Sequence, residues 1–378
     1  MTADRVVIVG AGPAGAATAL GLARAGIAVT LLERAAFPRR KVCGEYLGAG
    51  AVAALQRLGL LETLRSEGRS LQGIRLAVAG VARVELRFES PAVAIARELL
   101  DSALANAAAR AGAVVERARV EDLVRDPEGR VCGVTARDES GTVRELRGRF
   151  VVGADGTGSI VARKLGFTRT RNADQRFAIG GHYRDANAAN GLIEMFVDAR
   201  SYLAINPLAG GISNVMAVVR KADVEYWTRL LELSATSRSG PRVAIGPLEH
   251  RVRRRVAPGV ALVGDAAGFL NPFTGQGVYL ALRGAERLVR ALCAAYADSQ
   301  AEQAQLEVYD SATRRELRAR ARLASTIDLL VRVPFLARRA APRLERSPQL
   351  AKILLDALMG ASEPHTALRP AVLRRLLV

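Results

Sequence analysis

The sequence predicts an α/β protein in which a parallel, doubly wound core interlocks with an antiparallel sheet and is followed by C-terminal helices. Three observations predict it. The β-branched run Arg5-Val6-Val7-Ile8-Val9 passes through a glycine loop into an alanine- and leucine-rich stretch ending near Ala25, which reads as strand, turn and helix. Alternating apolar residues over 71–90 and 177–220 have the period of strands. From about Ala301 onward, glutamate, arginine, alanine and leucine recur in helical rhythm.

In the opening loop, Gly10-Ala11-Gly12-Pro13-Ala14-Gly15, each glycine has a steric task. Gly10 allows a tight turn, Gly12 lets backbone approach a pyrophosphate, and Gly15 lets the helix lie close on the strand. Pro13 and Ala14 open a helix whose free N–H groups suit an anion. A second strand, Ile27 to Leu32, ends in Glu33, eighteen residues beyond Gly15, with Arg34 beside it. A carboxylate there accepts the hydrogens of a ribose diol and repels a 2′-phosphate. Together these elements read as a Rossmann-like dinucleotide site. A nucleotide-free glycine turn is the alternative.

Next, Phe37-Pro38-Arg39-Arg40-Lys41-Val42-Cys43-Gly44-Glu45 reads as a shaped loop, because proline restricts its path and glycine permits close approach. Arg39 and Lys41 stand near enough in sequence to lower the thiol pKa of Cys43. A packed small residue is the other reading of this cysteine. Arg97 then opens an alanine-rich helix running to about Ala111. A hairpin region around 126–141 precedes Arg149-Phe150-Val151-Val152-Gly153-Ala154-Asp155-Gly156, a strand entering a glycine-bearing turn. Strand-like runs at Phe177–Ile179, Gly191–Val197, Tyr202–Ile205 and Ile212–Val219 predict an antiparallel sheet whose inner face carries a pocket. His182, Tyr183 and Asn206 are its candidate polar groups, each of which reads more simply as a strand-edge or turn residue. Glu225-Tyr226-Trp227 begins a helix in which Trp227 serves packing. Another buried strand, Val260 to Val263, ends in Gly264-Asp265 and leads into Gly268-Phe269-Leu270-Asn271-Pro272-Phe273-Thr274-Gly275-Gln276-Gly277.

The C-terminal stretch centres on Ile327-Asp328-Leu329-Leu330-Val331-Arg332-Val333-Pro334-Phe335-Leu336, where Pro334 is expected to break the helix. Its apolar stripe, flanked by arginines, suits either a lid over the protein's own pocket or a basic amphipathic surface laid on a membrane or partner.

Composition narrows the function classes. A hydrophobic fraction of 50% over 378 residues is that of a folded protein. The formal charge of +18 comes almost wholly from arginine, since only Lys41, Lys164, Lys221 and Lys352 are lysines. No interleaving with aromatics marks a nucleic-acid reader, so the charge reads as a solvated surface or one that meets an anionic substrate, carrier protein or membrane. Three scattered cysteines and three scattered histidines give no metal pattern. With no apolar run of membrane-spanning length and no leader before the first strand, the expected location is cytoplasmic, with membrane association as an option.

The GAGPAG loop, Arg97, the Gly153-Ala154-Asp155-Gly156 turn and the Gly264-Asp265 segment together resemble the fingerprints of the FAD-dependent monooxygenase superfamily of the para-hydroxybenzoate hydroxylase fold. The Cys43-Gly44-Glu45 and Asn271–Gly277 stretches are closer to its geranylgeranyl-reductase-like branch. The resemblance implies FAD, with NAD(P)H as a transient reductant at the flavin face. It implies an FAD-binding domain in three pieces (1–70, 92–170 and 245–300), a substrate domain (71–91 and 171–244) and a helical region (301–378). It puts Arg97 near the phosphates or ribityl chain, Asp155 at the second fingerprint turn, Gly264 and Asp265 at the ribityl or pyrophosphate region, and Pro272, Gly275, Gln276 and Gly277 at a helix start facing the flavin ring. Cys43 and Tyr202 become candidate proton donors, and Glu45, His182 and Asn206 pocket residues. Glu45 also reads as a salt-bridged carboxylate.

The chain departs from the branch at 202–208. Only Tyr202 and Pro207 of its aromatic pattern are present there, which weakens the inference to a long isoprenoid. The same stretch lacks the Trp-x-Trp-x-Ile-Pro pattern of flavin halogenases, which argues against halogenation. The expected reaction is reduction of a carbon–carbon double bond in an apolar small molecule. Hydroxylation or epoxidation by an NAD(P)H-dependent flavin monooxygenase is the alternative.

Overall fold

A computed structural model describes residues 4–169, 176–184, 191–233, 237–248, 250–269 and 271–377. Leu270 and the expected domain junction at 170–171 lie outside the described residues. One sheet has the strand order Val256–Ala257, Val260–Leu262, Phe150–Gly153, Arg5–Val9, Ala28–Glu33, Val114–Arg125, Val131–Asp138 and Val143–Arg147. Its middle, from Val260–Leu262 to Val114–Arg125, is parallel. The first strand reads as continuous rather than alternating because both of its faces are covered. Ile8 packs with Leu20, Leu100 and Leu288 of the helices Pro13–Arg24, Arg97–Arg110 and Gly277–Ala297. Val7 packs on the other side with Val134 and Leu146. The hairpin region expected at 126–141 is therefore a three-stranded meander that closes the far face of the sheet.

The second sheet runs Val243–Ile245, Arg176–Arg184, Ile212–Arg220, Tyr202–Pro207, Leu192–Val197, Arg69–Val78, Ala82–Ala94 and Tyr46–Leu47. It is antiparallel except where Leu192–Val197 meets Arg69–Val78. Instead of several short strands over 71–90, the chain makes one long hairpin in which Ile74 faces Leu86 and Leu76 faces Val84. The irregularity between Leu71 and Gly73 is a register shift, and it explains the imperfect alternation of the sequence there. One face of this sheet is covered by the helix Val224–Leu233, with Trp227 packed against it as expected. The other face looks across a cavity toward the C-terminal helices.

Those helices are Glu302–Arg332, Pro334–Arg346, Pro348–Met359, Pro364–Ala367 and Pro370–Leu377. Every one after the first begins with proline, which has no N–H to lose in a first turn and ends whatever precedes it. The break expected at Pro334 is found there. No described helix is long and apolar enough to cross a membrane.

Candidate functional site

The glycine loop divides as its spacing predicts. Gly10 has φ +99°, and a Cβ there would lie 2.7 Å from the Ala154 carbonyl oxygen. A Cβ on Gly15 would lie 1.9 Å from the Gly10 oxygen, so both positions require glycine to close the turn. Gly12 differs: its nearest neighbour would be the Arg39 guanidinium at 3.8 Å. It opens, with Pro13 and Ala14, onto the large cavity between the sheets. Gly264, at φ +63°, is the same kind of close approach, since a Cβ would meet the Ala14 methyl at 2.6 Å.

The acid at the end of the second strand has a different set of partners from the one its position suggests. Glu33 accepts from the Ala11 amide at 3.0 Å and the Ala35 amide at 3.1 Å, and pairs with Arg39 at 3.3 Å. It thus holds the glycine loop in place and is not on the cavity wall. Arg34 points to solvent. Asp155 turns into its own loop, accepting from the Ile160 amide at 2.6 Å, while its other oxygen is buried without a partner. Burial raises its pKa against the hydrogen bonds it accepts. Its neighbours Ala154 and Gly156 form the wall in its place.

A buried charged floor joins these turns. Arg97 makes a two-pronged contact with Asp101, Nε to Oδ1 at 2.8 Å and Nη2 to Oδ2 at 2.7 Å, and Arg39 reaches the same carboxylate at 3.3 Å. Arg97 and Asp101 are one helical turn apart, so the pair is set by the helix alone. Asp265 and Lys41 both line the cavity. Burial first, then Arg97 and Arg39, pulls the Lys41 amine down, with Asp265 opposing. Burial likewise pushes the Asp265 carboxyl up against Lys41 and Arg97. Sequence reasoning used Lys41 only as a neighbour of Cys43 and missed its place on the wall. The available signal was its rarity as one of four lysines among 55 basic residues.

The Cys43-Gly44-Glu45 loop is fastened from two directions. Glu45 has a left-handed backbone, φ +55°, at a cost of about 1–2 kcal/mol for a non-glycine residue. Its carboxylate repays this by accepting from the Arg97 amide at 2.8 Å and meeting His182 Nε2 at 2.7 Å. From the second sheet, Asn206 Nδ2 donates to the Gly44 carbonyl at 2.9 Å and Asn214 Nδ2 to the Cys43 carbonyl at 2.7 Å. The two asparagines face one another on neighbouring strands. Asn206, 3% exposed, keeps its Oδ1 buried without a partner and lines the cavity. Asn214 was not among the predicted site residues, because only strand register brings it opposite Asn206. His182 stands behind Glu45 and is not on the wall.

The thiol overturns one expectation. Burial pushes the Cys43 pKa up, and the opposing pull comes first from Arg97, not from Arg39 or Lys41. Arg39 is occupied by Glu33 and Asp101. Cys43 is therefore a neutral thiol at neutral pH, suited to give a proton rather than to attack as a thiolate.

At the helix start, Gly275 takes φ +65° and Gln276 caps the helix that begins at Gly277. The Gln276 side chain is turned away, donating to Leu358 O at 2.6 Å, which leaves the helix amides facing the cavity. Pro272, Gly275, Gln276 and Gly277 all line it.

Beyond this polar end the cavity becomes apolar. Leu76, Met195 and Val218 of the sheet face Ile327, Leu330 and Leu344 of the helices. Tyr202 belongs to this part, four residues and about 13 Å along its strand from Asn206. Its ring meets Phe273 edge-on, with centroids 5.3 Å apart. Burial pushes its hydroxyl pKa up against Arg176 and Arg332. The structure thus separates Tyr202 from Cys43. The aromatic side chains absent from 202–208 are supplied by Phe88, Phe269 and Phe273 from other segments.

The shape and chemistry fit an extended, doubly phosphorylated flavin nucleotide. Gly12, Gly44 and Gly277 line one continuous cavity and none of them is crowded, since a Cβ on Gly44 or Gly277 would meet nothing within 4 Å. On its wall, Thr274 Oγ1 and Asn206 Oδ1 are buried polar atoms without a hydrogen-bond partner among the described residues. Among the described residues no group of histidine, cysteine, aspartate and glutamate could hold a metal ion.

Comparison with known proteins agrees. The FAD binding domain family profile matches residues 4–254, and a tryptophan halogenase profile matches residues 232–326. A menaquinone reductase of Mycolicibacterium smegmatis is 33% identical over 72% of this chain and 72% of its own. A digeranylgeranylglycerophospholipid reductase of Methanothermobacter thermautotrophicus is 29% identical over 73% of this chain and 74% of its own. Among solved structures, the flavin-dependent brominase Bmp2 superposes with a TM-score of 0.82 at 21% identity, covering 99% of this chain and 98% of its own, a likeness of fold.

Proposed function

Because the chain belongs to the FAD binding domain family and is an FAD-dependent oxidoreductase, we propose that it reduces a carbon–carbon double bond in an apolar, prenyl-like substrate. The observation that carries the reading is the two-ended cavity. A charged floor and a helix start lie at one end, an apolar chamber at the other, and the neutral thiol of Cys43 belongs to the loop between them.

When bound, FAD supplies the hydride, recovered from a transient NAD(P)H reductant. The amides at Gly12 and Ala14 and the side chains of Lys41 and Arg97 would hold its phosphates, and the free amides at the helix start Gly275–Gly277 would stabilise negative charge on its ring. The alkene gains that hydride at one carbon and, at the other, the proton of Cys43 Sγ, leaving a thiolate that solvent reprotonates. Arg97, whose charge favours the ionised thiol, stabilises that thiolate. Glu45, Asn206 and Asn214 hold the loop in register, and the apolar chamber orients the alkyl chain. Two of the relatives named above act, by their names, on prenylated molecules, which supports the substrate class.

The test is anaerobic. Protein reduced with NADPH or dithionite is mixed with prenylquinones and prenyl lipids, and products are weighed by mass spectrometry. A substrate whose prenyl chain gains two hydrogens, retained after any quinol has been reoxidised in air, supports the reading. An oxygenated product formed in air, with no saturation anaerobically, would overturn it in favour of a monooxygenase.

A further inference from the structure

We infer that the outer face of the last helices docks on an anionic lipid surface, from which apolar substrate reaches the chamber. The inference rests on the apolar-substrate reading above. The wall between chamber and exterior is a single layer of helices. Ile327, Leu330, Ala340, Leu344 and Leu376 line the cavity from within. On the outside, Leu329 and Phe335 flank the break at Val333 and are 56% and 61% exposed.

Around them positive charge predominates, and Asp328 beside Leu329 is paired with Arg332 at 2.9 Å. The segments 334–346 and 369–377 hold seven arginines and one acid, Glu345. Arg338, Arg339, Arg346, Arg374 and Arg375 are exposed. Among the described residues, the contacts of Arg339 and Arg375 are not with carboxylates. Arg339 donates to the Leu377 carbonyl at 3.1 Å and stacks on the Phe335 ring at 4.6 Å, and Arg375 donates to Ser347 Oγ at 3.3 Å. The buried arginines Arg97, Arg255 and Arg320 are, by contrast, matched with Asp101, Asp310 and Glu316. An amphipathic helix with arginines beside exposed leucine and phenylalanine is the pattern that lies in a lipid headgroup layer, and these helices are not able to cross one. The opposite faces of the same helices form the chamber, so a docked molecule has only one helical layer between lipid and cavity.

The experiment is co-sedimentation of the FAD-loaded protein with phosphatidylcholine vesicles, with and without phosphatidylglycerol. Binding is expected only with phosphatidylglycerol, and is expected to be lost as salt is raised. Each arginine near the surface contributes about fivefold in partitioning, so Arg338→Glu with Arg339→Glu is expected to lower it about 25-fold or more. Leu329→Ser with Phe335→Ser is expected to lower it about tenfold or more through lost apolar burial. Absence of binding to phosphatidylglycerol vesicles, or unchanged binding in both double variants, would refute the docking surface. Turnover of a short, freely dispersed prenyl substrate separates the two claims. It should be unaltered in both variants. If the native protein binds the vesicles but saturates no prenyl substrate, the reductase reading fails and the docking surface stands.

Discussion

Replacing Gly12 and Gly15 separately by alanine distinguishes a ligand cradle from a merely tight turn. Gly12 has ordinary extended angles, φ −73° and ψ −178°, and a Cβ there would have nothing closer than 3.8 Å. Gly12→Ala should therefore leave the unliganded fold intact, or stabilise it by about 0.4–1 kcal/mol through a less flexible unfolded chain. The added methyl projects into the open channel that the flavin pyrophosphate must approach. Losing one charge-assisted backbone hydrogen bond there removes about 1.5–3 kcal/mol, which weakens FAD binding about 10- to 100-fold. Gly15→Ala is the opposite case. Its Cβ would sit 1.9 Å from the Gly10 oxygen, and forcing strand and helix apart costs about 1–3 kcal/mol or more. For a chain of 378 residues, with a melting entropy of about 2.1 cal/mol/K per residue, that is a fall in Tm of about 1.3 °C per kcal/mol. Thermal melts of the unliganded variants and fluorescence titration with FAD measure both quantities. Undiminished FAD affinity in Gly12→Ala and in the bulkier Gly12→Val would refute the cradle.

Cys43→Ala should slow alkene saturation about 10²- to 10⁴-fold, the usual worth of a positioned acid, with FAD binding unaltered in the same titration. Because burial raises the thiol pKa, the protonated form persists through neutral pH. The native saturation rate should fall only as pH rises through that elevated value, above the ordinary thiol pKa of about 8.5, and a stopped-flow pH profile with a plateau ending below neutrality would contradict this. Asn206→Ala and Asn214→Ala each remove one anchor of the thiol loop and should lower saturation while sparing flavin reduction by NAD(P)H, as two half-reaction measurements will report. Asp101→Ala leaves the Arg97 guanidinium buried without its carboxylate and should cost about 3–5 kcal/mol in denaturant unfolding. An unchanged midpoint would show that the pair is not needed.

Local sterics and helical period were readable without coordinates. Gly10 and Gly15 were assigned their tasks from spacing alone, Pro334 ends its helix as its chemistry requires, and the helix at Gly277 starts where the glycine-rich stretch ends. What the sequence concealed depends on register and on competition between partners. Asn214 gains meaning only opposite Asn206, Glu45 only with His182 brought to it from 137 residues away. Proximity in sequence misled at Cys43, because Arg39 is spent on two carboxylates and burial outweighs the remaining cations. Proximity misled again at 202–208, where missing aromatic residues are replaced by Phe88, Phe269 and Phe273 from distant segments.

The fastening of the Cys43 loop has a mechanical consequence. Its backbone leaves the nucleotide-side sheet, yet two of its carbonyls are gripped by side chains of the opposite sheet. Any guest that wedges the two layers apart or draws them together must drag this loop and its thiol with it. On the proposed function, the alignment of thiol and ring is then a property of what fills the chamber, and a poorly fitting guest would meet a misplaced proton while the stored electrons stay where they are.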